Sequence, residues 1–318
     1  MEQTVIPANA GIQSRTLRRR PGAAMARGRL RLWGAVMVAS ALALGSPRAR
    51  AEYDVSSVSF PALKPFEGQS IELEALEFRP KGSGPFPAIV MLHGCSGLYT
   101  PSGYVTNSYR HWAELLAEDG YVALLVDSFN PRGQRSICEQ QKRTILESRE
   151  RVEDAYAAAR WLDAQPYVAK DRIGLIGWSN GGTGTLYSLR PASRMEPAFR
   201  AAVAFYPGCR TLSRAKTPYR PYAPLLILTG EADDWTPAAP CQDLAAIAQQ
   251  AGAVLEIVTY PGAHHGFDRI GLPVRYRPNV RNLNQPGRLG ATVGEHPQAR
   301  EDGIRRTKAF FAERLRSR

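Results

Sequence analysis

The chain has 318 residues, 44% of them hydrophobic, enough for one large α/β domain or two small ones. Its formal charge of +12 is unevenly spread: residues 1–51 hold nine arginines and one acid, Glu2, which leaves +4 for residues 52–318. So weak a balance over a domain of that size excludes a charge-driven nucleic-acid partner.

The first segment reads as an export signal. Arg27, Arg29 and Arg31 form a basic region, and Leu32–Leu44 is an apolar run of h-region length, too short to span a bilayer comfortably. Ala49-Arg50-Ala51 supplies the small residues of a cleavage site, which sets the mature start at Glu52. The alternative is an uncleaved anchor. Met25 stands just before the basic region, so residues 1–24 read as an extension from an upstream start. The organisation expected is therefore a signal peptide over 1–51 and a single domain over 52–318, exported to the periplasm or medium, with no stable membrane anchoring after cleavage.

The elements then follow in order. Pro87–His93 is a short apolar run and a buried strand. Asn107–Asp119 is helical and stops at Gly120. Tyr121–Asp127 is a second strand, and the apolar period of Val152, Ala155, Tyr156, Ala159 and Leu162 predicts a helix over roughly Glu147–Ala164. Arg172–Gly177 is a strand and Asn180–Leu189 a helix. Ala201–Tyr206 and Leu225–Thr229 are strands, Ala239–Gln250 a helix, Val254–Tyr260 a strand, and Arg300–Arg316 a closing amphipathic helix. Strands alternating with helices, with near-continuous apolar runs, predict an α/β fold whose mostly parallel central sheet is covered on both faces. The longest irregular stretch is Asp268–Gln298, with five arginines and four prolines. It is either a wall of the site or a solvated excursion.

Gly177-Trp178-Ser179-Asn180-Gly181 sits between a strand and a helix. This is the G-x-S-x-G pattern of a nucleophile elbow, in which the glycines remove Cβ atoms where the turn is crowded. A serine hydroxyl needs a base, and the base needs an orienting carboxylate. In this fold the partners follow in the order Ser, Asp/Glu, His. Gly230-Glu231-Ala232-Asp233 leaves one strand end, and Ala263-His264-His265-Gly266 leaves another. All three groups emerge at the carboxyl edge of the sheet. Asp233 is favoured over Asp234, which would be solvated or cap the next segment. His265 is favoured over His264 because Gly266 lets its loop approach the serine. A tetrahedral intermediate needs two backbone N–H donors. Asn180, after the nucleophile at a helix N-terminus, supplies one. Cys95, in the His93-Gly94-Cys95-Ser96-Gly97 turn, supplies the other; the bland reading of that segment is a plain tight turn. No cysteine/histidine metal spacing and no phosphate-binding glycine loop occurs, so neither metal nor cofactor is expected.

Together these segments resemble the dienelactone hydrolase family of α/β-hydrolases over about Phe78–Arg316. The resemblance is carried by HGCSGL (93–98), VDSFNPRG (126–133), GLIGWSNGG (174–182), AFYPGC (204–209), LILTGEADDWTP (226–237) and YPGAHHGFD (260–268). It implies cofactor-free hydrolysis of a small or activated ester or lactone by Ser179, Asp233 and His265. The family's archetypes carry cysteine as nucleophile; serine here points to carboxylesters more generally. Arg132 falls where the family's substrate-carboxylate arginine is expected; its alternative is a loop arginine paired with a nearby acid. The implied fold also places Cys95 and Cys138 after neighbouring strands, and Cys209 and Cys241 likewise. In an oxidising compartment the implied disulfides are Cys95–Cys138 and Cys209–Cys241. Two other functions share the fold: a serine peptidase acting on short peptides, and a non-catalytic binding protein.

Overall fold

The computed structural model describes residues 52–282 and 289–316; the segment read as an export signal lies outside them. The chain opens with strands β1 (Tyr53–Pro61), β2 (Glu72–Pro80) and β3 (Phe86–Leu92), then helix α1 (Asn107–Glu118) and β4 (Val122–Asp127). Next come α2 (Glu150–Asp163), β5 (Val168–Trp178), α3 (Asn180–Ser188), β6 (Ala201–Phe205) and the short α4 (Arg210–Ser213). It closes with β7 (Leu225–Gly230), α5 (Ala238–Gln250), β8 (Leu255–Tyr260), β9 (Arg275–Arg281), β10 (Leu289–Val293) and α6 (Pro297–Leu315).

β1 to β8 form one sheet in the order β1-β2-β4-β3-β5-β6-β7-β8. β1, β2 and β4 pair antiparallel, and every pairing from β4 through β8 is parallel. Alternate residues of each central strand serve opposite faces. In β3, Ala88, Val90 and Leu92 pack with residues of α2, α3 and α5. Ile89 and Met91 pack with Trp112 and Leu116 of α1 and with Phe311 and Leu315 of α6. The strands are apolar on both sides because both faces are covered, as their sequence implied.

The order of strands positions the site. The chain goes from β3 to β4 on one side and then returns to place β5 on the other side of β3. The loops after β3 and β5 therefore diverge and leave a crevice at the carboxyl edge, where open α/β sheets bind ligands. The turn at His93 and the turn at Ser179 are these two loops.

Two features differ from the expectation. The β1–β2 hairpin extends the sheet where no strand was anticipated: β1 is almost wholly exposed and lacks an apolar signal. The stretch 268–298 is not irregular throughout, since β9 and β10 pair in an antiparallel hairpin above the carboxyl edge.

Both disulfides have the expected pairing, Cys95–Cys138 and Cys209–Cys241, with sequence separations of 43 and 32. Loop-closure entropy at these separations corresponds to about 4 kcal/mol each, an upper value. Replacing Cys209 and Cys241 by serine should lower the unfolding free energy by ~2–4 kcal/mol in urea titrations. An unchanged midpoint would show that this bridge does not stabilise the fold.

Candidate active site

Ser179 sits at the tip of the β5–α3 turn with φ 55° and ψ −114°, a conformation that non-glycine residues rarely adopt. Such a backbone costs on the order of 1–3 kcal/mol and must be held by its surroundings. The Ser179 N–H donates to Phe205 O of β6 at 2.9 Å, and its carbonyl accepts from Thr183 N–H at 2.8 Å. The flanking glycines are required sterically. A Cβ on Gly177 would overlap the carbonyl of Gly181, and one on Gly181 would overlap the carbonyl of Leu92. α3 thus starts close against the ends of β5 and β3, leaving the serine side chain in the crevice.

His265 and Asp233 reach this serine from the loops after β8 and β7. Ser179 Oγ lies 2.9 Å from His265 Nε2, and His265 Nδ1 lies 2.8 Å from Asp233 Oδ2. The carboxylate can only accept, so Nδ1 carries the proton and Nε2 offers its lone pair to the serine hydroxyl. Asp233 Oδ1 also accepts from the N–H groups of Trp235 and Thr236 at 2.9 and 2.8 Å. These contacts fix the carboxylate before it meets the imidazole. The ring itself lies between Tyr206 and Trp235, with centroids 4.6 and 4.7 Å away. Asp233 and His265 are thus the members of each pair brought to Ser179. His264 Nδ1 lies 3.0 Å from Ala232 O. Asp234 is half-buried and accepts from Thr292 N–H at 2.7 Å and from Thr292 Oγ1 at 3.0 Å, tying β10 to this turn.

The turn after β3 is built around a buried histidine. His93 Nδ1 lies 2.8 Å from Gly94 O, and Nε2 accepts from Ser128 N–H at 3.2 Å, with Arg151 beside it at 3.3 Å. Burial, then the charge of Arg151, pushes His93 well below the usual histidine range. It is neutral, so its 3.8 Å approach to Asp127 is not an ion pair. The Gly94 N–H donates to Tyr109 Oη at 2.8 Å. Cys95, the next residue, lines the serine cavity. Asn180 opens α3, and its side chain donates to Glu147 Oε1 at 2.5 Å. Glu147 is held in turn by Arg143 at 2.8 Å.

Sequence reading missed the carboxylate that ties this assembly together. Asp268, three residues after His265, is fully buried and accepts from Trp112 Nε1 (2.8 Å), Trp178 Nε1 (2.9 Å) and Tyr206 Oη (2.6 Å). Trp178 directly precedes Ser179, and the Tyr206 ring packs at a tilt against His265. Burial raises the Asp268 pKa, and the three donors oppose that rise. Burial and the Asp268 charge raise Tyr206 well above the ordinary tyrosine value, so Tyr206 stays a donor. The only sequence signal was an acid following the histidine motif, which also suits a surface turn.

The β9–β10 hairpin forms part of the site wall. Gly294 N–H donates to His265 O at 3.1 Å, and Trp235 Nε1 donates to Arg281 O at 3.0 Å. A cavity of about 140 Å³ opens beside Ser179, bordered by Cys95, Asn180, Thr236 and three arginines, Arg143, Arg210 and Arg281. A smaller lobe of about 30 Å³ lies on the His265 side, with Arg269 and Arg277. Arg132 lines neither. Its guanidinium makes a bidentate pair with Asp154 at 2.7 and 2.9 Å and donates to Ser128 O at 2.7 Å. With 2% of its side chain exposed, Arg132 braces the β4 loop and cannot reach a ligand at Ser179. The expectation of a substrate-binding role is corrected accordingly.

Fold and site define an α/β-hydrolase. The dienelactone hydrolase family model matches residues 73–315, and the chain belongs to that family. It is 30% identical over 201 residues to a Bradyrhizobium sp. protein named "Probable 2-oxo-3-(5-oxofuran-2-ylidene)propanoate lactonase", covering 59% of this chain and 76% of the relative. Among solved structures, Thermogutta terrifontis esterase 2 phosphorylated by paraoxon superposes with TM-score 0.55 at 20% identity, over 85% of this chain and 96% of that one. Pyrococcus horikoshii acylaminoacyl peptidase gives TM-score 0.58 at 19% identity, over 83% of this chain but 42% of the peptidase.

Two outcomes test the buried polar groups. His93 is held below its ordinary pKa of about 6.5, so unfolding lets it take up a proton; its stabilisation is complete above that pH and is lost as pH falls, by ~1.4 kcal/mol per pH unit. The unfolding free energy should therefore drop more steeply below about pH 6.5 in the native chain than in a His93→Gln variant; parallel profiles would contradict this. An Asp154→Ala variant should lose ~3–5 kcal/mol by stranding Arg132, measured by urea unfolding.

Proposed function

We propose that the mature chain is an exported serine hydrolase that cleaves a small or activated carboxylic ester or lactone through an acyl-enzyme on Ser179. The observation that carries this reading is the unbroken hydrogen-bonded chain Ser179–His265–Asp233, assembled from three strand ends. His265 takes the serine proton as Oγ attacks the substrate carbonyl, and later returns it to the leaving alkoxide. Asp233 holds the imidazole in the required tautomer and stabilises the imidazolium. The carbonyl oxygen, now an oxyanion, is received by the Cys95 and Asn180 amides, and the α3 dipole favours the same charge. Water activated by His265 then releases the acid. For a lactone the freed hydroxyl stays tethered to the acyl group, so ring opening gives a hydroxyacyl-enzyme and water then releases a single hydroxy acid.

The name of the Bradyrhizobium relative supports a lactone as one substrate class. The two disulfides that border the site support an oxidising compartment and thus export. Among the described residues no helix is long and apolar enough to cross a membrane. Residues 52–318 are proposed as a single catalytic domain after removal of residues 1–51. No cofactor enters any step.

The test is kinetic. Against p-nitrophenyl acetate, Ser179→Ala should retain no more than about a thousandth of native kcat. Asp233→Asn should lose on the order of 10⁴ in kcat by misorienting the imidazole. Native-like kcat in Ser179→Ala, with the fold intact, would reject the mechanism.

A further inference from the structure

The serine cavity does not end at Arg210. A larger cavity of about 530 Å³ abuts it, and Tyr187 and Thr211 line both. Its wall is mixed. Leu212 and Tyr219 are buried apolar surface, whereas Arg190, Lys216 and Arg220 supply three cations, and no acidic residue lines it. Arg210 stands at the junction, bordering the serine cavity from α4. Its Nε is buried without a hydrogen-bond partner, and no ion pair engages its guanidinium among the described residues. A cation kept unpaired in a partly enclosed place favours an incoming anion, because no internal salt bridge must first be broken.

The spacing of the two cavities sets the length of the occupant. Tyr187 follows Asn180 by seven residues on α3. At 1.5 Å of rise per residue it lies roughly 10 Å along the helix axis from the Ser179 turn. A molecule with its carbonyl at Ser179 must be elongated to pass the shared residues Tyr187 and Thr211 and enter the second cavity.

We propose that this second cavity is a distal substrate subsite, taking the anionic end of an elongated ester whose reacting carbonyl lies at Ser179. The inference rests on the serine-ester reading above and deepens it. The apolar body of such a substrate lies against Tyr187 and Leu212 as it passes Arg210, and its terminal carboxylate is received by Lys216 and Arg220. α4 carries one wall of this path. The Cys209–Cys241 disulfide, immediately before Arg210, fixes α4 to α5.

Hydrolysis of mono-p-nitrophenyl suberate, of its methyl-capped diester and of p-nitrophenyl acetate tests this. The native enzyme should cleave the anionic suberate with kcat/KM about tenfold above that of the capped ester. A Lys216→Glu/Arg220→Glu double variant should abolish that preference through KM and leave p-nitrophenyl acetate turnover unchanged. Equal kcat/KM for the anionic and capped esters in the native enzyme would overturn the subsite. So would a preference that survives the double charge reversal, which would place anion recognition in the serine cavity itself. Absence of native p-nitrophenyl acetate turnover would instead remove the serine-ester reading beneath it.

Discussion

The geometry of the site depends on one close approach: the start of α3 against the ends of β3 and β5. Only glycine at 177 and 181 permits it, because any Cβ there would overlap a backbone carbonyl. The approach goes with a positive-φ turn at Ser179, at the very start of α3, and its hydroxyl lies within hydrogen-bond reach of His265. The strain is local. It is balanced by backbone hydrogen bonds from β6 and within α3 and by packing of α3 onto the sheet. An exposed serine on a flexible loop would lack both the fixed hydroxyl and the aligned amide.

The remaining groups are positioned by buried polar contacts more than by the loops' own stiffness. Asp268 joins the residue before Ser179, a tryptophan of α1 and the tyrosine packed against His265. Neutral His93 joins the turn after β3 to the turn after β4. Asp234 joins the Asp233 turn to β10. Each group is satisfied by several donors, as a polar group in a low-dielectric interior must be. The same logic explains Arg132. A guanidinium so buried needs a carboxylate of its own, and Asp154 is that partner rather than a substrate.

Much of this was legible in the sequence. The central strands carry near-continuous apolar runs because helices cover both faces, so they stand out. Ser179, Asp233 and His265 stand where element ends and chain order predict them. The edge strands were harder. β1 buries little and reads as polar loop, and β9 interleaves three arginines with a proline. The roles of Asp268 and Arg132 were not legible, because each is defined by partners distant in sequence. Asp268 meets Trp112 across 156 residues. Arginines 143, 210 and 281 meet at one cavity from three separate segments, a convergence that no local pattern encodes.

The central claim is that Ser179 Oγ accepts the acyl group. Rapid acid quench of the native enzyme with p-nitrophenyl acetate, followed by peptide mass mapping, tests it directly. The account predicts one acetyl group on the peptide containing Ser179, and none there when the quenched chain is the Ser179→Ala variant. Turnover with no acetylated peptide, or an acetyl group on another residue that supports turnover, would contradict it.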